Sequence, residues 1–112
     1  MTAIGVVETL SIPMGVLAGD QMVKTAQVEL LEAQTVCPGK YIALIAGALS
    51  AVQAAVEAAK KTRADELIDS FVLGTPHESI FPAIYGTTRV EPVNAFGILE
   101  TYDAASIIVA AD

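Results

Sequence analysis

Very few side chains in this sequence could do chemistry. One cysteine, Cys37, and one histidine, His77, are present. Cys37 lies in the segment TVCPGK, where proline followed by glycine predicts a tight turn, because proline presets φ and glycine accepts a positive φ. Free cysteines are most often buried as small hydrophobic residues, but this turn favours an exposed loop. Cys37 is therefore a candidate for thiol chemistry, and the sequence has no CxxC or other multi-cysteine spacing that would form a metal site within one chain.

The other polar candidates favour structural roles. His77 follows Pro76 and has no cysteine or histidine within ligand spacing, so a structural or contact role is favoured over zinc binding or catalysis. No serine lies in a nucleophile-elbow context, and one histidine leaves little for a catalytic triad. Glu8 and Glu100 each end a predicted strand, which favours a capping role over acid–base work. The sequence therefore predicts a protein that is not an enzyme.

Composition excludes several classes of protein. The chain has 112 residues, of which 54% are hydrophobic and 17% charged, which indicates one compact domain, or one domain plus a fragment, and excludes disorder. A net charge of −7 with six Lys plus Arg gives no basic footprint for nucleic acid or anionic lipid. Apolar stretches such as residues 41–49 fall short of the roughly 18 residues of a membrane span. The single cysteine and the absence of a signal sequence fit the cytoplasm.

The hydrophobic pattern predicts alternating strands and helices. Short β-branched runs typical of strands and Ala-rich runs with helical spacing follow one another along the chain. The predicted strands cover residues 3–8, 28–34, 40–46 and 67–73, the predicted helices cover residues 12–27 and 49–61, and a short helix covers residues 77–84. This β-α-β-β-α-β order predicts an α/β (α+β) ferredoxin-like fold: a four-stranded antiparallel sheet with both helices packed on one face.

An internal repeat gives the domain organisation. Residues 95–112 (AFGILETYDAASIIVAAD) repeat residues 3–20 (AIGVVETLSIPMGVLAGD) without a gap. We therefore predict a first domain over residues 1–86, a linker over residues 87–94, and the start of a second copy at residues 95–112 that breaks off in its first helix. This division suggests a truncated or cleaved product of a two-module protein. The identical positions are Ala3/Ala95, Gly5/Gly97, Glu8/Glu100, Thr9/Thr101, Ala18/Ala110 and Asp20/Asp112.

Three segments carry a family resemblance. AIGVVET in the first strand, DQMVKTAQVEL across the first helix and second strand, and GALSAVQAAVEAAKK in the second helix resemble the shell domain of bacterial microcompartments (BMC). The resemblance covers residues 3–84 almost continuously and resumes at residue 95. TVCPGK and the second copy are similar to tandem-domain, trimer-forming shell proteins, in particular those of propanediol-utilisation compartments that carry an iron–sulfur cluster.

The resemblance implies an assembly and assigns residues to it. Such domains form flat hexamers, or pseudohexamers of three tandem chains, that tile into the shell of an organelle. Lys24 would lie at the contact between neighbouring tiles, together with His77. The family's Pro-Arg-Pro-His reads Gly74-Thr75-Pro76-His77 here, so the arginine edge contact is missing. The residues implied to line the central pore are Val36, Cys37, Pro38 and Gly39.

The resemblance also implies a cofactor and partners. One Cys37 from each of three chains would give three thiolates, which match three irons of a [4Fe–4S] cluster and leave the fourth iron open. Such a pore would serve electron transfer or redox sensing across the shell. The implied partners are further copies of the chain, as a homotrimer or hexamer, other BMC shell proteins and encapsulated redox enzymes. The implied location is the microcompartment shell in the cytoplasm.

Two alternatives stay open at this point. The first is a shell tile whose pore passes a small metabolite and holds no cluster, with Cys37 an ordinary pore thiol. The second is a regulatory module that binds a small molecule on the same fold, because fold alone does not decide function.

Overall fold

The computed structural model describes residues 2–62 and 64–112. Within these residues, four strands and four α-helices follow one another, with a single turn of 3₁₀-helix before the last strand. The first six strands and helices have the predicted β-α-β-β-α-β order. The elements are β1 (Ala3–Thr9), α1 (Ile12–Thr25), β2 (Glu29–Val36), β3 (Lys40–Gly47), α2 (Leu49–Thr62), the 3₁₀ turn (Ala64–Glu66), β4 (Leu67–Leu73), α3 (Ile80–Ile84) and α4 (Ala104–Ala111).

The sheet has the strand order β2-β3-β1-β4, with every neighbouring pair antiparallel. This confirms the predicted ferredoxin-like fold class. Several boundaries differ from the prediction by one to three residues, and two of these differences have a clear structural reason. Helix α1 ends at Thr25 because Ala26 is already extended, with φ −145° and ψ 163°. The short helix begins at Ile80 rather than His77, since residues 77–79 form a turn closed by the Ile80 amide donating to the His77 carbonyl at 3.0 Å.

Strand β1 is buried on both of its sides, and alternate residues of a strand point to opposite faces. Ala3 and Val7 lie in the same cluster as Met22 of α1 and Val56 of α2; we call this side the first face. Gly5 points to it as well, and a Cβ there would lie 2.7 Å from side-chain atoms of Val52 and Val56. The glycine therefore permits the close approach of α2 to the sheet, and both long helices lie on one face as predicted.

The opposite side of the sheet is also covered in part. The second face consists of Ile4, Val6 and Glu8 of β1 with Ile42 and Leu44 of β3. Ile80 of α3 and Ala105 of α4 are buried against its apolar residues. The unbroken apolar runs of β1 and β3 agree with this, because strands covered on both faces lack the alternation of half-exposed strands.

The second copy of the repeat is only partly folded like the first. Residues 95–101 match β1 in sequence but form no strand among the described residues, and residues 95–100, including Phe96 and Ile98, are exposed. A strand needs hydrogen-bonded neighbours to be stable, and this segment has none in the structure described here. The division into two domains therefore stays a prediction.

The helix that follows does reproduce its counterpart. Helices α1 and α4 begin at equivalent positions of the repeat. Their N-cap residues have nearly the same backbone angles, φ −132° and ψ 153° at Ser11 and φ −131° and ψ 160° at Asp103. The Thr9 hydroxyl donates to the Ser11 carbonyl at 2.8 Å, and the Thr101 hydroxyl donates to the Asp103 carbonyl at 2.7 Å. The repeat thus extends to the local geometry that starts the helix.

Candidate functional site

The hairpin tip between β2 and β3 carries the only thiol of the chain. Val36 pairs with Lys40, so Cys37, Pro38 and Gly39 form a three-residue loop. The Cys37–Pro38 peptide bond is cis, and Gly39 has φ +73° as the sequence predicts. Cys37 is exposed. The predicted exposed position of the thiol is therefore confirmed, whereas the pore-lining and metal-binding roles stay predictions.

The described residues of one chain do not form a complete metal centre. Among residues 2–62 and 64–112, no three or more His, Cys, Asp or Glu side chains come together in a way that could hold a metal ion. An exposed thiol at the tip of a hairpin is accessible to other subunits. The donor set therefore fits a metal group only where several chains each contribute one thiolate.

Directly behind the hairpin tip lies an ion pair between a partly exposed lysine and a buried glutamate. Lys40 is the first residue of β3, and its Nζ lies 3.3 Å from Oε2 of Glu8. The Glu8 side chain is 0% exposed, and this oxygen accepts no hydrogen bond of good geometry. Burying a carboxylate is costly without a partner, so the lysine ammonium offsets part of that cost and ties the start of β3 to β1.

The other oxygen of Glu8 holds helix α4. Its Oε1 accepts a hydrogen bond of 2.8 Å from the Ala105 amide, one of the free amides at a helix start. This confirms a capping role for Glu8. The partner, 97 residues away in sequence, could not be foreseen. The signal that marked the residue was a carboxylate at the end of an otherwise apolar strand.

Two further carboxylates fix the start of α4. Asp103 accepts a hydrogen bond of 2.7 Å from the Ser106 amide, and the Ser106 hydroxyl donates to Oδ2 of Asp69 at 3.1 Å. The hydrogen bonds from Ser106 hold the pKa of the Asp103 carboxyl below its usual value, so it stays ionised as a cap. This cluster could not be predicted from the sequence, because its members come from β4 and from the start of α4.

Removing the Glu8 carboxylate tests how strongly it anchors the fold. We expect Glu8→Ala to lower the free energy of unfolding by about 1–3 kcal/mol, because the Ala105 amide loses its acceptor and Lys40 loses its counter-ion. Urea denaturation measures this. Glu100→Ala removes the equivalent but exposed glutamate and should change stability by less than about 0.5 kcal/mol. Equal effects of the two variants would contradict a capping role.

The two predicted edge residues lie at the other end of the sheet. Lys24 stands in the last turn of α1, just before β2, whereas Cys37 follows the end of β2. His77 follows β4, whose last residue pairs with Ile4 near the start of β1. Both side chains are exposed. Lys24 Nζ lies 2.8 Å from Oδ2 of Asp20.

His77 contacts its own turn and the C-terminal end of α4. Its amide donates to the Asp112 carboxylate at 2.6 Å, and its Nδ1 lies 2.8 Å from the Ser79 hydroxyl. These contacts fix the turn that precedes α3 and leave the ring at the surface. The hairpin tip and the two edge residues thus occupy opposite ends of the sheet.

Beside α4, part of the second face is uncovered. A cleft of about 310 Å³ lies there, lined mostly by apolar side chains of β3, α3 and α4, including Leu44, Ile84 and Ile108, with Glu32 and Gln34 of β2.

In the described parts of the chain, no helix has both the length and the apolar character that crossing a bilayer requires.

Comparison with known protein families agrees with the fold described above. The family model described as the BMC domain matches residues 3–76, which hold the whole four-stranded sheet. The chain belongs to the BMC domain family. The match ends before α3, so residues 77–112 lie outside the part of the chain that the BMC domain model covers.

Individual relatives extend the similarity. The chain is 44% identical over 110 residues to the bacterial microcompartment shell protein PduT of Citrobacter freundii, an alignment that covers 98% of this chain and 60% of PduT. It is 35% identical over 82 residues to the carboxysome shell protein CcmK2 of Synechococcus elongatus, covering 70% of this chain and 80% of CcmK2. The BMC domain is thus shared with shell proteins of two kinds of compartment.

A solved structure is similar over the whole chain. The crystal structure of a microcompartments protein from Desulfitobacterium hafniense superposes with a TM-score of 0.86 at 49% identity, covering 100% of this chain and 62% of that one. The chain therefore spans about three fifths of the length of both PduT and this protein.

Proposed function

We propose that this chain is a structural subunit of a microcompartment shell, which forms a flat ring-shaped tile from copies of itself and packs against other BMC shell proteins. The observation that carries the proposal is the complete BMC domain, with the hairpin tip at one end of its sheet and Lys24 and His77 at the other. In a ring, one end of each module faces the axis and the other faces the rim. In the proposed ring, residues 36–39 would surround the central pore, and the tile would form part of the shell of a compartment in the cytoplasm.

The chemistry of the described residues favours a structural role over catalysis. The cleft on the second face offers only Glu32 and Gln34 as polar groups. Orienting a metabolite or a reaction takes several convergent polar groups. The regulatory alternative therefore has a place to bind an apolar ligand but little to give it specificity, and the tile is the better account of the fold.

For the pore we propose a [4Fe–4S] cluster held by Cys37 of three chains. What supports it is the exposed thiol at the tip of the hairpin together with the similarity of TVCPGK to cluster-bearing shell proteins. When bound, the cluster supplies one-electron chemistry at the pore, for electron transfer or redox sensing. Encapsulated redox enzymes would then be its partners. In protein purified without oxygen, about four irons per three chains would support the cluster, and an iron-free ring would favour the ordinary metabolite pore.

The number of thiolates depends on the domain organisation. We propose that residues 95–112 begin a second BMC module, after a linker at residues 87–94. The sequence repeat and the matching starts of α1 and α4 support this. Three two-module chains would then close a pseudohexamer with three Cys37 thiols at its axis, whereas six single modules would place six there.

Charge reversal at the proposed rim tests the tile. Lys24→Glu should abolish the formation of extended sheets or tubes seen by electron microscopy, because a carboxylate replaces the ammonium where neighbouring tiles meet. Lys61→Glu is the matched control, since Lys61 is also an exposed lysine in the last turn of a helix. Sheets that persist in Lys24→Glu, or that disappear equally in both variants, would argue against an edge contact at Lys24.

A further inference from the structure

The Glu8 carboxylate joins two parts of the chain that lie far apart in the sequence. Its Oε1 accepts the hydrogen bond from the Ala105 amide at the start of α4, and its Oε2 lies 3.3 Å from Nζ of Lys40. Lys40 pairs with Val36, so it closes the base of the hairpin that carries Cys37. One buried side chain therefore contacts both helix α4 and the hairpin.

Helix α4 keeps water away from this carboxylate. Glu8 and Ala105 are both 0% exposed, and the hydrogen bond of 2.8 Å between them places the first turn of α4 directly against the carboxylate. Opposite charges attract each other more strongly where water is excluded, whereas an ion pair between exposed side chains contributes little to stability. The docked helix therefore strengthens the attraction between Glu8 and Lys40.

Lys40 acts on the start of α4 in its turn. The pKa of Asp103, the N-cap residue of α4, is lowered mainly by hydrogen bonds from Ser106 and also by the nearby Lys40 ammonium. Without Lys40, the buried Glu8 would lack a counter-charge, and a carboxylate without one favours water over burial. Hydration of Glu8 requires α4 to move away, so the lysine helps to keep the helix docked.

We propose that Glu8 couples the docking of α4 to the mobility of the hairpin base at residues 36–40. With α4 docked, the shielded ion pair fixes Lys40 and with it the base of the hairpin. With α4 displaced, water reaches Glu8, the ion pair weakens and the hairpin loosens. Because coupling between two sites is reciprocal, loss of the Lys40 ammonium also loosens α4.

The role of this coupling in a shell rests on the proposed function. The hairpin carries the proposed pore residues, and α4 is the first helix of the proposed second module. The position of the second module would then set the mobility of the pore hairpin in the first through a single carboxylate. Glu8 and Lys40 are positioning residues here, since neither is a proposed ligand of the cluster.

Hydrogen exchange followed by mass spectrometry measures both ends of the contact in the whole chain, at residues 36–41 and at residues 104–112. Lys40→Met should speed exchange in α4 about fivefold or more, although residue 40 belongs to β3. Lys40→Arg keeps the positive charge and should restore slow exchange. Lys60→Met is the control, because Lys60 forms an exposed ion pair with Glu57 on α2, and it should leave both segments unchanged.

A change at α4 tests the coupling in the other direction. Ala105→Pro removes the amide hydrogen that Glu8 accepts, at a position where α1 carries Pro13 in its first turn, so the start of the helix tolerates proline there. It should speed exchange at residues 36–41 about fivefold or more. Ala104→Pro is the control, since it adds a proline to the same turn but leaves the hydrogen bond to Glu8 in place.

The double variant Glu8→Gln/Lys40→Met tests whether Glu8 carries the effect. Glutamine keeps an oxygen that can accept from the Ala105 amide but has no charge to pair with lysine. Adding Lys40→Met to Glu8→Gln should therefore not speed exchange in α4 any further. Circular dichroism and slow exchange in β1 verify that each variant is folded. If Lys40→Met unfolds the chain, Lys40→Gln replaces it in both variants.

Three results would each overturn the coupling. The first is exchange in α4 that is the same in Lys40→Met and wild type, and the second is a Lys40→Met effect of equal size with and without Glu8→Gln. The third is unchanged exchange at residues 36–41 in Ala105→Pro. The proposed function is tested separately by counting chains per particle with native mass spectrometry. Coupling in a chain that stays a single copy would overturn the tile alone, and a ring without coupling would overturn this inference alone.

Discussion

Replacing Cys37 by serine is expected to remove all iron and acid-labile sulfide from protein purified without oxygen. Each chain offers one thiol to the proposed cluster, so a single substitution removes every protein thiolate ligand from the ring at once. A serine hydroxyl is a far weaker iron ligand than a thiolate. The expected change is from about four irons per three chains to none, read by iron and sulfide analysis and by loss of the visible absorbance.

Two controls make this result specific. Thr35→Ser changes an exposed hydroxyl residue of the same hairpin and should leave the iron content unchanged. The number of chains per particle should be the same in Cys37→Ser and in wild type, because the thiol is exposed and contributes little to the fold. Stoichiometric iron and sulfide in Cys37→Ser would show that Cys37 is not the ligand.

The second large effect concerns stability. Gly15 of α1 is buried against Tyr41 of β3, and a Cβ at residue 15 would collide with the Tyr41 ring and its Cβ. The tyrosine Cβ is fixed to the strand backbone and cannot swing aside. We expect Gly15→Ala to lower the free energy of unfolding by about 1–3 kcal/mol, through a displaced helix or a strained tyrosine. Urea denaturation measures the change.

Gly19 provides the matched control in the same helix. It is also buried, but a Cβ there would meet only the Ala43 methyl, at an ordinary 3.8 Å. Gly19→Ala should therefore be neutral or stabilise the protein by up to about 1 kcal/mol, since alanine is the better helix former. Loss of stability in Gly19→Ala equal to that in Gly15→Ala would mean that the close approach at Tyr41 does not explain the glycine.

The fold could be predicted from local patterns. The apolar runs of β1 and β3 and the helical spacing of α2 are patterns among residues close together in the sequence. The strands and the long helices could therefore be predicted from the sequence. The cover on the second face could not be predicted in the same way. It depends on Glu8 meeting an amide 97 residues along the chain, and no periodicity in the sequence records such a contact.

In the candidate site, too, local features could be predicted from the sequence and contacts between distant residues could not. The exposed turn at Cys37 followed from proline and glycine, whose backbone preferences are local. The ion pair of Lys40 with Glu8 did not, because a lysine at the start of a strand is typical of a solvated edge and the partner lies on another strand. The functions proposed for Cys37, Lys24 and His77 depend on contacts with further chains, which no local pattern in the sequence records.

Native mass spectrometry of protein purified without oxygen tests whether a ring of chains holds one cluster through its pore thiols. One spectrum reports both the number of chains and the bound inorganic mass. We expect a closed ring that carries the added mass of one [4Fe–4S] cube. A single chain with no added mass at any concentration would contradict both the tile and the cluster.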